Sequence, residues 1–186
     1  MDTVEENKKI ELLLARCRKK ENSAFKELYG QYAKAMFNIC LRIVNNKDEA
    51  EDILQESFVK AFNDMSRFNS APEFSAWIKR VVVNHSLDVV RKQKNNFISI
   101  DDTDVAAPEE AQEEISYDIK TVSECLRELP DGYRAILTLF LFENYSHKEI
   151  GATLNISEGT SKSQYNRARL KLAALIQQKT FTYEQS

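Results

Sequence analysis

The amino-acid sequence predicts an all-α protein: two small helical domains joined by an acidic flexible linker, the C-terminal one a helix-turn-helix. Three observations support this fold class. The 186 residues include only 4 Gly and 3 Pro, which leaves little material for the many turns of a sheet protein. Apolar residues recur at steps of three and four along most of the chain, the spacing of amphipathic helices. A polar, acidic segment without that period interrupts the pattern between residues 96 and 116.

The first predicted domain, residues 1–95, contains four helices. Ser23 is expected to cap the second helix, and the Asn45-Asn46 pair is expected to end it. Carboxylates in the first turns of the third helix complement the positive end of its dipole. The loop 66–72 follows the third helix. The four helices are therefore expected at residues 4–20, from Ser23 to the Asn45-Asn46 break, at 47–65 and at 73–94.

The second predicted domain, residues 117–186, follows the acidic linker 96–116. Pro130-Asp131-Gly132 punctuates its helical pattern. Its helices are expected at residues 117–129, 131–143, 147–154 and 158–178.

Charge is unevenly distributed along the chain, whose net charge is −3. Residues 1–95 carry 17 Lys and Arg against 14 Asp and Glu, and residues 129–186 carry 7 against 5. Residues 96–128 carry 2 against 10, so the acidity is concentrated in the middle of the chain. Both flanking segments are mildly basic, which is compatible with an anionic partner such as nucleic acid.

Several protein classes are disfavoured by the composition. No apolar run approaches the roughly 18 residues that span a bilayer, and the charged N-terminus lacks a signal-peptide pattern. Cys17, Cys40 and Cys125 are widely spaced at apolar-periodic positions, so we expect buried free thiols in a reducing cytoplasm. His85 and His147 have no neighbouring nucleophile or metal-ligand pattern. We therefore expect a cytoplasmic protein without enzymatic activity, metal or cofactor.

Residues 145–172 predict two helices joined by a tight turn. Asn155 at the turn can adopt the left-handed conformation, and Ser157 is a suitable N-cap for the second helix. Ser161, Tyr165, Ala168, Leu172 and Leu175 form its inward stripe. Lys, Arg, Asn and Ser side chains point elsewhere, and these types serve base edges and phosphates. A helix-turn-helix whose second helix enters the major groove is favoured over a merely solvated basic helix.

Two helices of the first domain also carry unusual faces. Asp52, Gln55 and Glu56 share one face of the third helix, opposite its apolar stripe. Spacing alone favours an ordinary solvated surface there over a docking surface for a partner. The fourth helix is basic and has a half-polar stripe that includes Trp77. Aromatic rings beside cations suit single-stranded DNA, although core packing is the simpler explanation for Trp77.

Taken together, four blocks of the sequence resemble the extracytoplasmic-function (ECF) class of bacterial RNA polymerase sigma factors. They occur in the family's order and spacing, and the resemblance covers about residues 10–178. The blocks are DEAEDILQESFVKAF at 48–62, FSAWIKRVVVNHSLDVVRK at 74–92, LPDGYRAILTLF at 129–140 and EIGATLNISEGTSKSQYNRARLKL at 149–172.

The resemblance implies a promoter-specificity subunit that binds core RNA polymerase and both double- and single-stranded promoter DNA. The first domain would dock on the polymerase clamp helices and would recognise and melt the −10 element. The second would recognise the −35 element, and its hydrophobic rear would meet the polymerase flap. An anti-sigma factor is a possible further partner. The implied polymerase-binding residues are Asp52, Gln55 and Glu56. The implied −10 residues are Phe68, Asn69, Phe74, Trp77, Arg80, Asn84, Asp88 and Arg91. The implied −35 residues are Thr160, Lys162, Ser163, Asn166, Arg167 and Arg169.

Three positions depart from the family's pattern. Ser161 replaces a β-branched residue and puts a hydroxyl on the inward stripe. Gln164 replaces Arg and is expected to remove a phosphate contact. Gly151 replaces Ala, at a helix cost of roughly 1 kcal/mol. These departures predict a C-terminal domain that binds DNA weakly by itself and depends on polymerase.

Two other functions compete with this interpretation. A helix-turn-helix regulator with an N-terminal signalling or interaction domain would need a ligand pocket or phosphoacceptor site, and nothing in 1–95 resembles an α/β receiver. An enzyme is disfavoured by the isolated histidines. The acidic linker is either a solubilising tether or, as the resemblance implies, a segment that threads through the polymerase.

Overall fold

The computed structural model describes residues 3–93 and 119–184, and in both ranges the regular structure is helical. The chain divides into two compact units, Met1–Val89 and Val90–Ser186. The helices are α1 (Thr3–Arg18), α2 (Asn22–Val44), α3 (Lys47–Asn63), α4 (Ala71–Gln93), α5 (Ile119–Glu128), α6 (Asp131–Leu137), α7 (His147–Leu154) and α8 (Glu158–Glu184). The predicted all-α fold class is confirmed. The predicted linker, 96–116, lies outside the described residues.

A single apolar core holds the N-terminal unit together. Each of the four helices contributes an apolar face of almost fully buried side chains to this core, although the half-polar stripe of α4 that includes Trp77 is not part of it. Examples are Leu14, Leu28, Ile43, Phe58, Ile78 and Leu87.

The α2–α3 junction follows the prediction closely. Asn45 ends α2 with a φ of 56°, and the Asn46 side chain accepts hydrogen bonds from the Asp48 and Glu49 amides.

The start of α2 differs from the prediction that Ser23 caps it. The N-cap is Glu21, which makes no side-chain cap hydrogen bond, and Ser23 lies inside the helix. The Ser23 hydroxyl instead accepts a hydrogen bond from Arg16, 3.0 Å away. Arg16 also pairs with Glu21 at 2.8 Å and with Glu27 at 3.3 Å, so its guanidinium fixes the α1–α2 turn.

The α3–α4 connection lies two residues earlier than predicted, because α3 ends at Asn63. A 3-10 helix at Met65–Arg67 follows α3, and α4 begins at Ala71 rather than at Glu73. Ser70 explains the early start, because its hydroxyl accepts from the Glu73 amide at 3.4 Å. The Glu73 carboxylate in turn accepts from the Asn69 amide at 3.0 Å. These two bonds satisfy one amide in the first turn of α4, which has no partner within the helix, and one amide of the loop before it.

The C-terminal unit packs α5 and α6 against α8. Its core contains Cys125, Leu126, Leu129, Leu137, Ala168, Leu172 and Ile176. The predicted helix 131–143 is α-helical only to Leu137 and continues as a π-helix over Thr138–Phe142. Leu141 and Phe142, at the end of this π-helix, are 48% and 42% exposed. Within the described residues, no helix is long and apolar enough to cross a membrane.

Candidate nucleic-acid and polymerase interfaces

The helix-turn-helix lies at α7, a short turn and α8, as the sequence predicts. Ser146 and Glu149 form a reciprocal capping box at the start of α7. Hydrogen bonds to Ser146 hold the pKa of the Glu149 carboxyl below its usual value. Asn155 ends α7 with a φ of 58°, and the Ser157 hydroxyl accepts from the Thr160 amide at 2.9 Å. Local side chains therefore fix both ends of the turn, and with them the start of α8.

Two faces of α8 differ sharply in exposure. Ser161, Gln164 and Ala168 are at most 4% exposed and face the interior of the unit. All six residues predicted to meet the −35 element are at least partly exposed. Lys162, Ser163 and Arg169 are exposed, and Thr160, Asn166 and Arg167 are half-buried. The first turns of α8 thus present amide, hydroxyl and cationic groups on a rigid support.

Some of these polar side chains already form an ion pair or a hydrogen bond with a neighbouring group on α8. The Lys162 ammonium lies 2.7 Å from the Glu158 carboxylate, one turn earlier on α8. That ion pair lowers the pKa of Glu158. The Ser163 hydroxyl donates to the Thr160 carbonyl at 3.0 Å. A DNA phosphate approaching Lys162 would therefore compete with Glu158.

Ser161 has a partner that the sequence did not reveal. Its buried hydroxyl lies 3.1 Å from Nδ1 of His147, the first residue of α7. The imidazole stacks on Phe140 with ring centroids 4.6 Å apart and meets the Tyr165 ring edge-on. Burial, aided by the nearby Lys162 charge, lowers the pKa of His147. The Ser161 hydroxyl is therefore part of the contact between the two helices of the motif.

The other two departures also have a structural basis. The expectation that Gln164 forfeits a phosphate contact is wrong, because its side chain is 4% exposed and faces inward. Gly151 serves a close approach: a Cβ there would lie 2.8 Å from the Ile156 carbonyl oxygen. The turn backbone occupies that space, so the expected helix cost of Gly151 is not a net loss.

The predicted −10 residues divide into buried and accessible sets. Phe68 and Phe74 are 2% and 0% exposed, with ring centroids 5.3 Å apart. Core contacts therefore hold the rings of both of these implied −10 residues. Trp77 is half-buried, with its ring centroid 5.0 Å from that of Phe68. Asn69, Arg80, Asn84 and Asp88 are exposed, and Arg91 is half-buried.

The loop that carries Asn69 is anchored on both sides. Arg18 donates a short hydrogen bond to the Phe68 carbonyl, and the Asn69 amide donates to Glu73. The exposed Asn69 side chain therefore projects from a restrained backbone. Sequence reasoning missed the Arg18 contact, which joins residues 50 positions apart.

The three predicted polymerase-binding residues lie together on one exposed face of α3. Asp52, Gln55 and Glu56 are exposed, whereas Leu54 and Phe58 on the opposite face are buried. Val59, which the prediction omitted, is 60% exposed and lies one turn beyond Gln55. Its position outside the apolar stripe could have indicated this exposure.

The expected free thiols are confirmed for all three cysteines. Burial raises the pKa of Cys17 and Cys40 to about 11, so both are protonated near neutral pH. In the described part of the chain, no group of three or more His, Cys, Asp or Glu side chains is arranged to hold a metal ion.

Comparisons with known proteins identify both units. The family model described as Sigma-70 region 2 matches residues 28–96, and the one described as Sigma-70, region 4 matches residues 119–172. ECF RNA polymerase sigma factor SigW of Bacillus subtilis (strain 168) is 30% identical over 177 residues, covering 86% of this chain and 92% of SigW. ECF RNA polymerase sigma factor SigM of the same organism is 31% identical, covering 80% and 93%.

A solved structure supports the fold independently. The sigma factor RpoE, in a co-crystal structure with the anti-sigma factor NepR from Bartonella quintana, superposes with a TM-score of 0.55 at 22% identity. The similarity covers 82% of this chain and 96% of that one.

Proposed function

The chain belongs to the ECF class of RNA polymerase sigma factors, and we propose which of its residues meet the polymerase and each promoter element. As a sigma factor it is a promoter-specificity subunit that binds core RNA polymerase and promoter DNA. The assignment of tasks to its parts is our proposal: residues 1–95 dock on polymerase and open the −10 element, residues 96–116 tether, and residues 117–186 recognise the −35 element.

The exposed face of α8 is the proposed −35 reader. The observation that carries this proposal is the division of α8 into a buried face and a face bearing Lys162, Ser163, Asn166 and Arg167. Lys and Arg suit phosphates and guanine, and Asn suits adenine. Thr160 and Arg169 flank this set and complete the proposed surface.

The proposed −10 surface is the accessible side of α4 and of the loop before it. Asn69, Asn84 and Asp88 offer polar groups for a base withdrawn from the stack, and Arg80 and Arg91 offer cations for the backbone. Trp77 supplies the partly exposed ring. We assign Phe68 and Phe74 a supporting role, because both are buried against each other and fix the loop. Binding a flipped base offsets an unstacking cost of a few kcal/mol, which allows melting without an added energy source.

Two surfaces are proposed for polymerase. Asp52, Gln55 and Glu56, with the exposed Val59, form the clamp-docking surface on α3. In the C-terminal unit, the π-helix leaves Leu141 and Phe142 exposed, and we assign this apolar pair to the flap. π-helical segments are frequent at functional sites.

We further propose that the protein acts in the cytoplasm, where polymerase and DNA meet, and has no catalytic activity of its own. An anti-sigma factor is a proposed third partner. Support comes from solved relatives of this fold: RpoE was crystallised with the anti-sigma factor NepR, and CnrH with the cytosolic domain of CnrY. The CnrH similarity has a TM-score of 0.51 at 22% identity.

Reconstituted transcription tests the −35 assignment. Full-length protein and core polymerase would be used on a promoter with its −35 element intact or scrambled. Lys162→Ala and Arg167→Ala should each weaken transcription from the intact promoter, and loss of a phosphate contact should lower the salt slope by about one unit. Lys171→Ala, an exposed lysine farther along α8, is the matched control. Equal loss on the scrambled promoter would contradict the assignment.

A further inference from the structure

His85 on α4 lies beside Glu56 on α3. The imidazole Nε2 is 3.3 Å from a Glu56 carboxylate oxygen. The two side chains differ in exposure: His85 is 31% exposed and Glu56 is 71% exposed. Glu56 belongs to the proposed clamp-docking surface, whereas His85 has no role in the proposed function. His85 therefore contacts the Glu56 carboxylate, a group proposed to bind polymerase, and can affect binding through that carboxylate.

The backbones beneath both side chains are held by the core. On α4, Ser86 next to His85 is fully buried, and its hydroxyl donates to the Val82 carbonyl at 2.7 Å. On α3, Ser57 and Phe58 next to Glu56 are 1% and 2% exposed. The helices are thus rigid at this point, and the freedom that remains is rotation of the Glu56 side chain.

A restrained carboxylate binds more tightly than a free one. Ordering a flexible side chain on binding costs about 0.5–1.5 kcal/mol, which corresponds to roughly a 2- to 10-fold change in dissociation constant. A hydrogen bond donated by Nε2 of His85 favours the Glu56 rotamers in which the carboxylate lies against α4. One carboxylate oxygen accepts this bond, and the second remains available to a partner. Because exposed pairs contribute little to folding, the effect should appear in binding rather than in stability.

We propose that His85 is a positioning residue that orients the Glu56 carboxylate for core RNA polymerase. The proposal rests on the proposed role of Glu56 in docking. In this proposal α4, the helix assigned to the −10 element, also supports a polymerase contact on α3. His85 itself does not need to touch polymerase.

A double-mutant cycle on the full chain tests this, with the dissociation constant for core polymerase as the readout. His85→Met removes the donor at similar volume, and His85→Gln keeps an N–H near the position of Nε2. We expect His85→Met to weaken core binding by roughly 2- to 5-fold and His85→Gln to restore most of it. In a Glu56→Ala background, the His85→Met change should have no further effect. Thermal unfolding midpoints of the Met and Gln variants should agree.

The possible failures are distinguishable. Unchanged core binding by Glu56→Ala would remove the proposed docking role of Glu56, and the positioning role of His85 with it. If Glu56→Ala weakens binding but His85→Met binds as the wild type does, only the positioning role is wrong. A His85→Met loss of the same size in both backgrounds would also overturn it, because His85 would then act independently of Glu56.

Discussion

Replacing Arg134 with Met should destabilise the C-terminal unit strongly. The Arg134 side chain is only 3% exposed, although it carries a permanent charge. Its guanidinium donates to the Leu129 carbonyl at 2.8 Å and pairs with Asp131 at 2.5 Å. These bonds close the turn between α5 and α6, which both pack on α8. Met preserves much of the side-chain volume, so the change isolates the lost polar contacts.

The size of the effect follows from those two bonds. Leaving a buried polar group unsatisfied costs about 1–3 kcal/mol, and the Leu129 carbonyl loses this donor. The Asp131 side chain is 16% exposed, so water compensates part of its loss. Replacing Arg134 with Met also removes the free-energy cost of burying the guanidinium charge, and this offsets part of the loss. The net loss should be roughly 2–4 kcal/mol, a fall of about 8–30 °C in the unfolding midpoint of a unit of this size.

Circular dichroism melts of the full chain provide the assay. Arg134→Lys should lie between the wild type and Arg134→Met, because an ammonium keeps the charge but not the two-pronged geometry. Lys171→Met, an exposed change in the same unit, is the control and should melt close to the wild type. An Arg134→Met midpoint within about 2 °C of the wild type would refute the reasoning, since 1 kcal/mol already corresponds to about 4–8 °C.

Three further predictions concern single sites. Gly151→Val should destabilise the C-terminal unit and weaken −35-dependent transcription, because a Cβ at Gly151 meets the Ile156 carbonyl at 2.8 Å; an unchanged melt would contradict this. The lowered pKa of His147 means that the unfolded chain binds its proton more readily. Stability should therefore be full above about pH 6.5 and fall as the pH drops below it, and His147→Gln should flatten that dependence in melts at several pH values. The raised pKa values of Cys17 and Cys40 predict slow alkylation at pH 8 in the native protein and rapid alkylation in denaturant; equal rates would disprove the burial argument.

Helix boundaries were predictable from the sequence where local chemistry decides them. The asparagines at 45, 46 and 155 act on their own neighbours, and the structure confirms each helix end they indicated. The start of α2 was mispredicted because Arg16 decides it through contacts with Glu21, Ser23 and Glu27. No local pattern favours Glu21 over Ser23 as the cap.

The sequence predicted which side chains of the candidate sites are exposed wherever helical periodicity determines exposure. Periodicity placed the exposed and buried faces of α3 and α8 correctly. It says nothing about Phe68 and Phe74, whose −10 roles were implied by the family resemblance alone. Phe74 is buried partly by Tyr32 of α2, with ring centroids 5.2 Å apart. A contact between residues so distant in the sequence cannot be inferred from spacing.

Weak DNA binding by the C-terminal domain alone stays a prediction, and the three sequence departures do not provide its physical basis. Ser161 is paired with His147, Gly151 fits a close backbone approach, and Gln164 faces inward, so none of the three removes a DNA contact. Charge offers a better reason. The salt-dependent part of DNA affinity grows with the number of phosphates neutralised. In the described part of α8, the proposed DNA face offers Lys162, Arg167 and Arg169, and Glu158 already pairs with the first of them. So few cations would release few counterions, and we propose that stable binding to a promoter depends on polymerase, which would join the proposed −35 contact to the proposed −10 contact.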